Sequence, residues 1–152
     1  MQEKHQLSMT VLMTPDMVNF SGKVHGGHIL KLLDQVAYAC AARYAGSYVV
    51  TLSVDRVMFR QAIHVGELVS FLAAVNYTGR SSMEVGIKVI AEDISGNLVR
   101  HACSCFFTMV AVNERNEPVP VPPLQPQTSD QIRRYAEAQA RRLQRQSLDA
   151  AS

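Results

Sequence analysis

The most conspicuous side chain with chemical potential stands in HGGHILKLLDQVAYACAARYAG, residues 25–46. The stretch reads as one long, mostly apolar helix, and Asp34 is its single carboxylate. On a wheel of about 100° per residue, Asp34 falls at the border of the apolar arc. Leu30 and Ala41 lie on one side of it, Lys31 and Tyr38 beside it. Two roles fit that place: a solvated edge residue, or a carboxylate kept semi-dry to act as a base. The helix by itself leaves both open.

Other reactive side chains offer less. His25 and His28 are spaced i, i+3, but no third ligand of matching type lies nearby, so a metal site is not expected. Cys103 and Cys105 share one face of an apolar strand, and Cys40 lies in the apolar helix. Three cysteines so placed have the pattern of buried, reduced thiols. Ser21 is outside any G-x-S-x-G elbow, and no nucleophile–His–acid order stands out. The glycine-rich loop NFSGKVHGG lacks the Lys-Ser/Thr pair of a nucleoside-triphosphate loop. Taken alone, Asn19 in that loop is a capping residue, and GRSS at 79–82 is a tight hairpin turn.

Several elements must hold these groups. LSMTVLMT is a first strand stopped by Pro15, and the long helix ends at Gly46 as its C′ residue. YVVTLSVDRVMFRQ is the next strand, with Leu52, Val54 and Arg56 on one face and Ser53, Asp55 and Val57 on the other. ELVSFLAAVNYT and MEVGIKVIAED flank GRSS, and DISGN makes a second hairpin into LVRHACSCFFTMVAV. Prolines keep residues 113–126 irregular. SDQIRRYAEAQARRLQRQ then forms a basic helix capped by Ser129 or Asp130.

This order implies an α+β fold. A helix apolar on most of its circumference must be covered on most of it, and an antiparallel sheet curling around it does so economically. Such a sheet keeps an unprotected edge that invites a second subunit. Residues 1–126 form the expected domain, and 127–152 a basic C-terminal helix and tail.

Composition narrows the partners. The chain has 152 residues, 47% hydrophobic and 18% charged, with a net charge of +2, so neither nucleic acid nor membrane is expected as a partner. The start lacks an apolar signal region, and no apolar run approaches the roughly 18–20 residues of a membrane span. The expectation is a soluble, cytoplasmic protein, in which the NFS glycosylation match at 19–21 is accidental.

The motifs NFSGKVHGGHILKLLD, VVTLSVDRVMF, VGELV, GRSSMEVGIKVIAED and FTMVAVNERNEPVPVPPL resemble the hotdog-fold acyl-CoA thioesterases. Within them they are most similar to the bacterial acyl-CoA hydrolase branch related to the brain acyl-CoA hydrolases. The resemblance runs from about residue 9 to 124. It implies a central helix inside a curled antiparallel sheet, a homodimer with active sites at its interface, and assembly into a hexamer as a trimer of dimers. It implies acyl-CoA as substrate, with no metal and no further cofactor. Asn19 and Asp34 match the family's catalytic pair, which typically comes from different subunits; His25 stands where the family often has Phe.

On that basis Asp34 is a general base or a nucleophile, and Asn19 orients the water or the thioester carbonyl. Gly26 and Gly27 bring helix-start amides to the developing oxyanion. Gly79, Arg80, Ser81 and Ser82 take the CoA phosphates and pantetheine, with Thr51 bordering the thioester. In the C-terminal helix, Arg133, Arg134, Arg141, Arg142 and Arg145 are solvated and steer the acidic nucleotide, while Ile132, Tyr135 and Leu143 pack on the oligomer. Two rivals remain. One is an enoyl-CoA hydratase, disfavoured because the His of an Asp-x-x-x-x-His motif is replaced by Ala39; the other is a hotdog protein that binds acyl-CoA as a sensor.

Overall fold

Alternating apolar residues in the strands and an i, i+3, i+4 stripe in the long helix meet in one core. The computed structural model describes residues 4–151. After β1 (Gln6–Leu12) and a short 3-10 turn at Pro15–Met17 comes α1 (Gly26–Ala45). β2 (Tyr48–Asp55), β3 (Leu68–Thr78), β4 (Ser82–Asp93) and β5 (Leu98–Val112) follow, and α2 (Ser129–Ala151) ends the chain. The five strands form one antiparallel sheet in the order β1-β3-β4-β5-β2.

The sheet buries one stripe of α1: Ile29, Leu33, Val36, Ala37, Cys40 and Ala41. Opposite them stand Val69, Phe71, Val75, Val85, Ile87, Cys105, Phe107 and Met109. The covering is one-sided within a single chain. Leu30, Lys31, Asp34, Gln35 and Tyr38, on the other flank of α1, face outward, so the expected cover over most of the helix is not complete here. The helix stops where expected, with Gly46 at φ 68° donating its N–H to Ala42 O.

Three local expectations need correction. β2 does not run to Gln61; it ends at Asp55, and Arg56 turns left-handed at φ 53°. Its register also shifts between Thr51 and Ser53, which breaks strict alternation. The cap of α2 is neither Ser129 nor Asp130. Thr128 Oγ1 accepts from Gln131 N at 3.1 Å, and Gln131 Oε1 accepts from Thr128 N, making a capping box one residue earlier.

The third correction concerns how α2 packs. Ile132 and Leu143 are exposed on the chain, while Tyr135 docks at home, its ring 4.9 Å from that of Tyr77. Arginines supply most of the contact face. Arg141 grips Glu84 with two hydrogen bonds of 2.8 Å and lies 3.7 Å over the Phe106 ring. Glu84 is 2% exposed and also accepts from Asn76 Nδ2. Arg145 pairs with Asp55 at 2.8 Å. By strand alternation Asn76, Glu84 and Phe106 lie on the sheet face away from α1, so the two helices sandwich the sheet. The helix is thus held by paired charge together with buried Ala138 and the Tyr135–Tyr77 contact.

Candidate active site

Asp34 projects from the open flank of α1, where the Thr51 hydroxyl donates to its Oδ1 at 2.7 Å. Thr51 sits at the bulge of β2, which is the edge strand of the sheet. Helix and edge strand therefore fix the carboxylate from two sides, while the residue as a whole stays exposed.

Asn19 holds the loop before α1 in shape. Its Oδ1 accepts from Ser21 N at 2.9 Å, Ser21 Oγ at 2.7 Å and Lys23 N at 3.2 Å. The loop closes through Asn19 N to Lys23 O at 2.7 Å, and Gly22 takes φ 80°, open to glycine at little cost. Capping thus occupies only the carbonyl end of Asn19. Its amide NH2, a double donor, has no hydrogen-bond partner among the described residues. Within the chain no hydrogen bond among the described residues joins Asn19 to Asp34.

The two glycines are not equivalent, contrary to expectation. His25 is the N-cap of α1, and its Nδ1 accepts the Gly27 N–H at 2.9 Å. That amide is therefore engaged and not available to an oxyanion. Gly26 N–H has no partner among the described residues. A Cβ on Gly26 would stand 3.6 Å from the Phe59 ring, so this half-exposed aromatic lies beside the free amide. Sequence reasoning missed both His25 as a cap and Phe59 as a neighbour. Histidine is outside the usual N-cap set, and MFRQ reads as strand when it is loop.

Residues 79–82 form the expected hairpin turn, with Gly79 N donating to Ser82 O at 2.8 Å. It is stitched to its surroundings by Ala111 N to Ser81 O and Val121 N to Arg80 O. Arg80 is exposed. The turn, the Asp34–Thr51 pair and the Asn19 loop come from different parts of the fold, and among the described residues no hydrogen bond links them.

Other chemistry is weaker. Burial pushes the Cys40 thiol up to about 11 and Cys105 to about 12, so both stay protonated and inert at neutral pH. Cys103 is shifted the same way for the same reason. Among the described residues no three His, Cys, Asp or Glu side chains converge on a metal position. No helix of the described chain is long and apolar enough to cross a membrane.

The sequence profile described as the thioesterase superfamily matches residues 21–96. Protein VdlD of Helicobacter pylori (strain ATCC 700392 / 26695) is 49% identical over 140 residues, spanning 92% of this chain and 80% of that protein. An apo-hexameric acyl-CoA thioesterase superposes with a TM-score of 0.93 at 35% identity, over 98% of this chain and 96% of that one. An acyl-CoA hydrolase from Staphylococcus aureus, solved with butyryl coenzyme A, coenzyme A and coenzyme A disulfide, gives a TM-score of 0.89 at 28% identity. That match covers 97% of this chain and 90% of the other. The Staphylococcus aureus protein has also been solved with single Asp→Ala, Asn→Ala and Thr→Ala substitutions.

Proposed function

The chain belongs to the thioesterase superfamily, and from that premise we propose that it hydrolyses acyl-CoA to CoA and a carboxylate at Asp34. The observation that carries this reading is the Asp34 carboxylate itself, held by the Thr51 hydroxyl at 2.7 Å on the uncovered flank of α1. The substituted Asn, Asp and Thr of the Staphylococcus aureus hydrolase lie fifteen and seventeen residues apart. Asn19, Asp34 and Thr51 keep the same two intervals. That coincidence supports all three as members of one site.

The chemistry asks little beyond these groups. Asp34 takes a proton from a water, the hydroxide adds to the thioester carbonyl, and the C–S bond breaks to release the CoA thiolate. Alternatively the carboxylate attacks the carbonyl directly, and the mixed anhydride is then hydrolysed. A thiolate leaves readily, so no strong acid is needed, and neither route calls for a metal or redox cofactor. The free NH2 of Asn19 donates to the carbonyl oxygen or the water, and the Gly26 amide supports the oxyanion. Gly79, Arg80, Ser81 and Ser82 receive the phosphates and pantetheine of CoA.

The site is completed by a second copy. β2 lies at the sheet edge with Tyr48 and Leu52 64% and 68% exposed, and Leu30 and Tyr38 continue that surface on α1. Edge pairing there buries this surface and brings the partner's loop toward Asp34, so that Asn19 acts across the interface. Three such dimers form a hexamer, the state named for the apo acyl-CoA thioesterase that superposes on this chain.

The deciding experiment is a thiol-release assay over a series of acyl-CoA chain lengths, with wild type, Asp34→Asn and Asn19→Ala. Removing the carboxylate is expected to cost on the order of 10²-fold or more in kcat. Full activity in Asp34→Asn would refute its role. Wild type that binds acyl-CoA without releasing thiol would make the protein a sensor.

A further inference from the structure

The arginines of α2 fall into two groups. Arg141 and Arg145 each pair with one carboxylate, Glu84 and Asp55, and Arg133 lies near both Asp130 and Glu137. Arg142, between two of these, has no carboxylate partner among the described residues. Its Nη1 donates to the Tyr77 hydroxyl at 3.1 Å, and its guanidinium lies 5.5 Å from the centre of that ring. Tyr77 is itself packed on Tyr135, so a short aromatic stack props the cation in place.

What it is propped against is the hairpin turn. A Cβ on Gly79 would stand 2.2 Å from Arg142 Nη1, 3.0 Å from its Cζ and 2.7 Å from the Ser82 hydroxyl. Only glycine lets the guanidinium come down this far onto the turn. Arg142 is partly buried there. The turn contributes Arg80, exposed, together with the Ser81 and Ser82 hydroxyls. Two cations and two hydroxyls thus gather at one turn, and none of the four is paired with an acid among the described residues. A partly desolvated charge without a counter-charge is unfavourable, and an anionic ligand removes that cost. The planar fork of arginine suits phosphate in particular.

We propose that Arg142 binds a phosphate of the CoA moiety from above the turn, which makes α2 part of the substrate site and Gly79 the residue that admits it. The proposal rests on the assignment of residues 79–82 to CoA. It differs from long-range steering by the helix as a whole: Arg141 and Arg145 are spent on Glu84 and Asp55, and one arginine acts by contact.

The test compares acyl-CoA with the matching acyl-pantetheine, which carries the same thioester without the nucleotide or its phosphates. In Arg142→Ala the preference for acyl-CoA, read as the ratio of the two kcat/KM values, is expected to fall about 10- to 100-fold, as for loss of one charge-assisted hydrogen bond. The loss should lie in KM, and Arg142→Lys should restore part of it. Arg80→Ala separates the two claims. If Arg80→Ala lowers the ratio and Arg142→Ala does not, Arg142 is refuted while the turn keeps its assignment. If neither lowers it, the assignment of the turn fails and the proposal with it. Equal losses on both substrates in Arg142→Ala and Arg142→Lys would make Arg142 a purely structural residue and overturn the proposal.

Discussion

Thr51 and Asp34 are separated by seventeen residues in the chain and by one hydrogen bond in space. The hydroxyl donates to Oδ1, and Oδ2 has no hydrogen-bond partner among the described residues. Thr51→Ala should therefore lower kcat about tenfold, the worth of one orienting hydrogen bond, and change KM little. Thr51→Ser should retain most activity, because it keeps the donor; steady-state kinetics on one acyl-CoA decides. Asn19 has a structural role at one end of its amide and a free donor at the other. Three backbone and hydroxyl donors converge on its carbonyl oxygen, which fixes the direction of the free NH2. His25 has the opposite effect on Gly27, taking its amide for the helix cap.

Among the elements, the segment between β2 and β3 depends on one buried ion pair. Glu67, 5% exposed, accepts from both terminal nitrogens of Arg100 on β5, and from His64 N at 2.6 Å. Arg100 also donates to Ala62 O, while Val24 N donates to Ile63 O, tying the same segment to the loop before α1. This segment carries Phe59 onto Gly26. The Arg100 guanidinium holds the Glu67 carboxyl below its ordinary value of 4.5. The folded chain thus binds fewer protons here than the unfolded chain. The stabilisation is complete above the unfolded value and is lost as pH falls through the lower, folded one. Glu67→Gln should cost about 3–5 kcal/mol at neutral pH, the range for breaking a buried pair. It should also flatten the acid side of the stability profile, as read by urea unfolding at a series of pH values. An acid limb as steep as that of wild type would show that other carboxyls set it.

At the scale of the molecule, the decisive surface is the one a single chain leaves open. Tyr48, Leu52 and Val54 on edge strand β2, with Leu30 and Tyr38 on α1, are exposed apolar side chains on the two elements that carry Thr51 and Asp34, and the Tyr38 and Tyr48 rings meet at 6.0 Å. A charge placed there opposes association without touching the core. Leu52→Lys should shift the assembly toward monomer in sedimentation velocity and reduce thiol release in step with the loss of dimer. A monomeric Leu52→Lys protein with full activity would show that one chain suffices, and would sink the shared-site geometry.

The amino-acid sequence alone carried the helix from its glycines to Gly46, the two hairpins and the strands on either side of GRSS. Those features arise from periodicity and turn chemistry, which act over a few neighbouring residues. It also singled out Asp34 as the one carboxylate of an apolar helix, but the helix could not say whether it is a solvated edge residue or a base. The rest depended on contacts between distant parts of the chain. Only the packing of edge strand β2 beside α1 brings Thr51 to Asp34, and only the folded loop shows which end of Asn19 is spent. Only the docking of α2 distinguishes paired Arg141 and Arg145 from unpaired Arg142, because the charges that decide it lie some sixty to ninety residues away. Local rules of spacing cannot see such partners. The tertiary fold brings them within hydrogen-bond distance, and there the role of each side chain is set.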